Sequence, residues 1–220
     1  MKILLLMLYC FSMQQVLAGV SSRFPWRSTQ SLSVCFAAAE PTRRELGKLN
    51  FLPASWSKTN LQKIQNWIES EYTPERTGIH FYGWSSCQEN RDADIVLFFA
   101  ENGGLIGGQA SLGPRNPGTV AGYPAARGYV MIYHLNKATA VHEFGHVAGL
   151  MHEHLHPQAF HKNARCVGNF LRSPAPMDPQ NDYAEYDAQS VMNYCALNAP
   201  GGEDLGLSPG DLSILQRLYL

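Results

Sequence analysis

His142-Glu143-Phe144-Gly145-His146-Val147-Ala148-Gly149-Leu150-Met151-His152 sets three imidazoles, one carboxylate and one glycine at a spacing that metal chemistry can use. An α-helix turns about 100° per residue, so side chains at i and i+4 stand one above the other on the same face. His142 and His146 can therefore reach one ion. Glu143 leaves the same turn in a different direction, where it addresses a water on the ion rather than the ion itself, the place for a general base. Gly149 can end the helix through a left-handed conformation without steric cost, and the chain then turns back to offer His152. Three neutral imidazoles occupy three corners of a tetrahedron and leave the fourth open to water, as catalytic rather than structural zinc requires. The stretch predicts one Zn2+ ion held by His142, His146 and His152.

The pattern H-E-x-x-H-x-x-G-x-x-H resembles the zinc signature of the metzincin metalloproteases. With the continuation Glu153-His154 and the later Ser190-Val191-Met192-Asn193-Tyr194, the chain is most similar to the astacin family. The resemblance implies a zinc-dependent endopeptidase in which Glu143 and Tyr194 are catalytic. Tyr194 is then expected beside the metal, where it can donate a hydrogen bond to the oxyanion, and Met192 in the Met-turn forms an apolar floor. In that family the glutamate at the position of Glu153 pairs with an N-terminus freed by propeptide removal. Here about a dozen residues separate Gly19 from the first strand, with no switch motif among them, so another partner is expected for Glu153 and control by zymogen cleavage is not. Asn193 stands where astacins commonly have histidine.

A chain of 220 residues, 45% hydrophobic and 16% charged, can bury a substantial core. Its net charge of −1 exerts no pull toward nucleic acid or anionic lipid. Met1-Lys2, the apolar run from Ile3 to Phe11 and Val16-Leu17-Ala18 read as a secretory signal, residues 1–18, and a secreted or periplasmic protein. That run is far shorter than the roughly 20 residues a membrane span needs. Of five cysteines, Cys10 leaves with the signal, and Cys35, Cys87, Cys166 and Cys195 form an even set suited to an oxidising compartment. Three connectivities are possible. Cys35 with Cys87 and Cys166 with Cys195 is favoured, because each pair falls inside one expected subdomain.

Ser31 to Ala37 alternates as a strand does, Ile79 to Trp84 and Gly128 to Leu135 read as strands, and Ala93 to Ala100 is nearly continuous in apolar residues, as a sheet centre would be. Thr59 to Gln62 fits a capping box ahead of a helix whose buried face is Leu61, Ile64, Trp67, Ile68 and Tyr72. Residues 101–128 hold eight glycines and three prolines. This segment is expected to rim the cleft, with Thr119 to Tyr123 as an edge strand that an extended substrate could join. The zinc helix starts at Ala138. Ser208-Pro209-Gly210-Asp211 opens a last helix through Tyr219.

The fold class expected is α+β and metzincin-like: a twisted mixed five-stranded sheet with two long helices, above a small irregular C-terminal subdomain ending in a helix. The expected division is 19–152 for the N-terminal subdomain and 153–220 for the C-terminal one. His80, His134, His154, His156 and His161 are read as surface or hydrogen-bonded residues rather than a second metal site. The leading function is a secreted, monomeric zinc endopeptidase acting on polypeptides, without nucleic acid or membrane partners. Two alternatives share its site: a zinc-containing binding module that no longer catalyses, and a hydrolase of cell-wall peptides.

Overall fold

The computed structural model describes residues 20–22, 26, 31–37, 50–51, 58–101, 107–120, 122–169, 171, 173, 181–183 and 185–220. In chain order these form β1 (Val20–Ser22), β2 (Ser31–Phe36), β3 (Asn50–Phe51), α1 (Lys58–Glu71), α2 (Pro74–Thr77), β4 (His80–Ser86), β5 (Ile95–Glu101) and β6 (Gly108–Ala110). β7 (Gly128–Ile132), α3 (Lys137–Val147), α4 (Ala159–Lys162), α5 (Ala164–Val167), β8 (Asn181–Tyr183), α6 (Tyr194–Leu197) and α7 (Pro209–Tyr219) follow. The signal segment 1–18 lies outside the described residues. No helix among those described is long and apolar enough to cross a membrane.

The main sheet runs β4-β2-β5-β7-β6, with β3 paired to the end of β5. β4, β2, β5 and β7 are mutually parallel and β6 is antiparallel to β7, so the sheet is mixed, as expected. β5 sits in the middle because it is apolar on both faces. Ile95 and Leu97 point into the core beneath the helices, while Val96 and Phe98 point to the opposite side. On the helix side, Ile64 and Ile68 of α1 and Tyr72 just beyond its end are fully buried against Phe81, Ile132, Val141 and Phe144. Phe144 packs edge-on to Phe81 at 4.9 Å between ring centroids, which locks the zinc helix onto the sheet.

Both long helices lie on one face, so the other needs a different cover. The Gly/Pro-rich segment supplies it. Val120, Tyr123 and Ala126 pack with Val96, Phe98, Met131 and the Cys35–Cys87 disulfide. The expectation for this segment is corrected here: of Thr119 to Tyr123, the described residues lie in turns and a bend, not in a strand. The edge strand is β6 instead, and its Gly108 lies against Glu143. Thr59 is also not a cap, because α1 already begins at Lys58.

The second disulfide joins Cys166 to Cys195, so both pairs are the favoured ones. They close 52 and 29 residues, each worth about 3 to 4 kcal/mol if the stabilisation is unfolded-state entropy. α7 begins with a complete capping box: the Ser208 hydroxyl accepts from the Asp211 amide at 3.1 Å, and the Asp211 carboxylate accepts from the Ser208 amide at 3.0 Å. Ile68→Ala should cost about 2 to 5 kcal/mol, since truncating this fully buried side chain removes its apolar contacts and opens a cavity in the core. Urea unfolding of the purified protein measures it, and a loss under 1 kcal/mol would contradict the packing described.

Candidate metal centre and active site

α3 is buried on nearly every side, which is why its sequence lacks a polar face. Asn136 caps its start by accepting from the Thr139 amide at 2.7 Å. Its end is a Schellman motif: Leu150 N–H donates to Gly145 O at 2.8 Å and Gly149 N–H to His146 O at 2.9 Å. Gly149 takes φ 96°, a conformation that favours glycine. The reversal delivers His152 to the face that carries His142 and His146. Trp26 Nε1 and Tyr219 Oη donate to Val147 O and Ala148 O, satisfying carbonyls that a helix end leaves open.

His152 Nε2 lies 3.2 Å from His142 Nε2 and 2.9 Å from His146 Nε2, and all three ligand atoms fall within 4.8 Å of one another. His142 Nδ1 lies 2.9 Å from Val191 O, and His146 Nδ1 lies 2.8 Å from Leu150 O. A carbonyl only accepts, so each Nδ1 carries the proton and each Nε2 presents a lone pair. Lone pairs aimed at one point repel unless a cation takes them up. Nitrogens about 2.0–2.1 Å from a tetrahedral zinc stand roughly 3.4 Å apart, close to the spacing found. The residues therefore fit the metal that the motif predicts.

Electrostatics agree. Burial and the neighbouring rings hold His142 down at about 3; burial holds His146 at about 4, and His152 is pushed lower still by burial and both partners. All three are neutral ligands at neutral pH. Glu143 is buried, and its Oε2 has no hydrogen-bond partner among the described residues. Burial lifts its carboxyl to about 8. Gly108 of β6 makes room for it: a Cβ there would stand 2.7 Å from Glu143 Oε1.

Met192 is buried beneath α3, where a Cβ at Gly145 would meet its Sδ at 2.7 Å. Tyr194 stands beside the triad, its ring centroid 4.6 Å from that of His152, and stacks on His154 at 4.3 Å. His154 and His156 are buried rather than on the surface. Asn193 is fully buried; its side chain caps α6 through the Cys195 amide and donates to Tyr186 Oη. Glu153 accepts from the Asp187 amide at 2.6 Å, so among the described residues this amide is its partner.

Sequence reasoning missed Gly108, Ser190 and the carbonyls of Val191 and Leu150. A backbone acceptor has no signature in residue type. Asp211 was visible, but only as a helix cap.

No protein-family model matches the chain, and no curated protein matches it in sequence. Solved structures do, and together with the triad they define its architecture as the α+β, astacin-like metzincin fold. The chain is similar to myroilysin at 18% identity and TM-score 0.53, over 91% of this chain and 98% of that one. It is also similar to high choriolytic enzyme 1 (HCE-1), a hatching enzyme zinc-protease from Oryzias latipes (Medaka fish), at 15% identity and TM-score 0.51, over 89% of this chain and 94% of that one. At such identities the likeness is one of fold.

The Glu143 shift has a testable sign. Its folded value near 8 lies above the ordinary 4.5, so above pH 4.5 the unfolded chain releases a proton that the metal-free fold retains. Stability from this group is therefore lost as pH rises through about 8. Metal-free Glu143→Gln should be more stable than the metal-free wild type at pH 8, with the gap narrowing toward pH 5. Urea midpoints across that range measure this; a gap of constant size would contradict the assignment.

Proposed function

We propose that this protein is a secreted zinc endopeptidase that hydrolyses polypeptides, with Glu143 as general base. The observation that carries this reading is the buried Oε2 of Glu143, without a hydrogen-bond partner among the described residues, beside three convergent imidazole nitrogens. A zinc ion held by His142, His146 and His152 would supply Lewis acidity and lower the pKa of an attacking water. Glu143 would take that water's proton and return it to the leaving amine; a carboxyl lifted to about 8 by burial can hold a proton near neutral pH. Tyr194 would donate to the oxyanion, with burial and the Glu143 charge keeping its hydroxyl protonated. Met192 would support the metal from below without binding it.

An extended substrate would add to β6, whose outer edge pairs with no strand among the described residues. Main-chain hydrogen bonds would then do most of the recognition, independent of side chains. Two disulfides support export to an oxidising compartment. Residues 19–152 and 153–220 would form the walls above and below the cleft, in a monomer.

Purified protein with one bound zinc should digest casein and stop on chelation. Glu143→Ala should lose about 10² to 10⁴-fold in kcat while keeping its zinc, and Tyr194→Phe about 10²-fold. Undiminished turnover in Glu143→Ala would end the mechanism. Zinc binding without cleavage of any peptide would favour the binding-module reading, and cleavage of muropeptides alone the cell-wall reading. Gly108→Ala should also reduce kcat at unchanged zinc content, since its methyl displaces the Glu143 carboxylate.

A further inference from the structure

The two imidazoles of α3 are anchored differently. His146 Nδ1 donates to Leu150 O, the carbonyl of a turn just beyond its own helix. His142 Nδ1 donates to Val191 O, 49 residues away in the Met-turn. The same peptide group continues beyond that carbonyl: Met192 N–H donates to Ser190 Oγ at 2.9 Å. Ser190 O–H in turn donates to Asp211 Oδ1 at 2.7 Å. Asp211 Oδ2 accepts from Val191 N–H at 3.1 Å, fixing the adjacent peptide. Imidazole, peptide, hydroxyl and carboxylate thus form one hydrogen-bonded line in which every donor points the same way. Ser190 and Asp211 are almost completely buried, and neither forms an ion pair among the described residues.

We propose that Ser190 and Asp211 are positioning residues for the metal site, a carboxylate relay that acts on His142 through the Val191–Met192 peptide. The inference rests on the reading of the triad as a zinc site. Many metal-bound histidines donate their second ring N–H directly to a carboxylate, which fixes the tautomer and makes the ligating nitrogen more basic. Here the carboxylate is two links removed. Hydrogen bonds in a chain polarise one another: the Asp211 charge draws on the Ser190 proton, the hydroxyl oxygen becomes a better acceptor for the peptide N–H, and the Val191 carbonyl becomes a better acceptor for Nδ1–H. Electron density is thereby directed to His142 Nε2, the atom that faces the metal. The line also spans the molecule, because Asp211 belongs to the first turn of α7. Docking of the last helix is thereby coupled to the electronic state of a ligand on α3.

His146 provides an internal control, since among the described residues no such line of hydrogen bonds runs on from its acceptor. Ser190→Ala removes one hydroxyl and leaves the Asp211 bonds to Val191 and Ser208 amides in place. In metal-free, folded Ser190→Ala, long-range imidazole 15N–1H correlation spectra should show the His142 nitrogens displaced from their wild-type positions and the His146 nitrogens unmoved. Competition with a chromophoric chelator should show zinc affinity reduced about tenfold. Asp211→Asn, nearly isosteric and uncharged, should displace the His142 signals in the same direction, and it carries the test if Ser190→Ala does not fold. Unchanged His142 shifts in a folded variant, or equal displacement of His142 and His146, would overturn the relay. If the wild type shows the relay signature yet takes up no zinc, the metal reading fails and the relay survives.

Discussion

The structure depends on holding three uncharged imidazoles, ring nitrogen to ring nitrogen, inside a protein. Buried donors and acceptors carry a cost unless they are met, and here each Nδ1 of α3 is met by a backbone carbonyl. That choice of acceptor leaves Nε2 as the only direction in which His142 and His146 can be satisfied. Much of the surrounding architecture enforces it: the Schellman turn at Gly149 brings in His152, Asn136 fixes where α3 starts, and Trp26, Tyr72 and Tyr219 donate to carbonyls along the same helix.

Burial works in two opposite directions at this centre. It pushes the imidazoles down, which keeps them available as ligands, and it pushes Glu143 up, which keeps a proton within reach. A single low-dielectric pocket therefore prepares the ligands and the base together. Gly108 makes the arrangement possible, since any side chain on that residue of β6 would occupy the space of the carboxylate.

How much of this the sequence discloses depends on whether the information sits in a side chain or in a backbone. The triad, the left-handed Gly149 and the α7 capping box are written in residue types at local spacing, and the structure has them at those positions. The central strand β5 is legible because six consecutive apolar residues, Ile95 to Ala100, fit a strand buried on both faces. β6 is not: Gly108-Gln109-Ala110 has no period to detect, and its place at the edge is decided by pairing with β7. Thr119 to Tyr123 has better strand composition, and yet none of its described residues lies in a strand, because tertiary packing uses Val120 and Tyr123 to cover the back of the sheet. Val191 acts through its carbonyl, so nothing about valine could have pointed to it.

The three ligands span a short piece of chain, whereas the acceptor for His142 lies 49 residues on. Closing a small loop takes little chain entropy, and each doubling of loop length adds only about 0.6 kcal/mol. The metal-binding face is thus a local feature that can assemble early, as soon as α3 and its turn form. Ring orientation is a global one, complete only when the Met-turn and α7 have docked. A chain whose last helix has not docked would therefore present the three ligands without the anchor that orients His142.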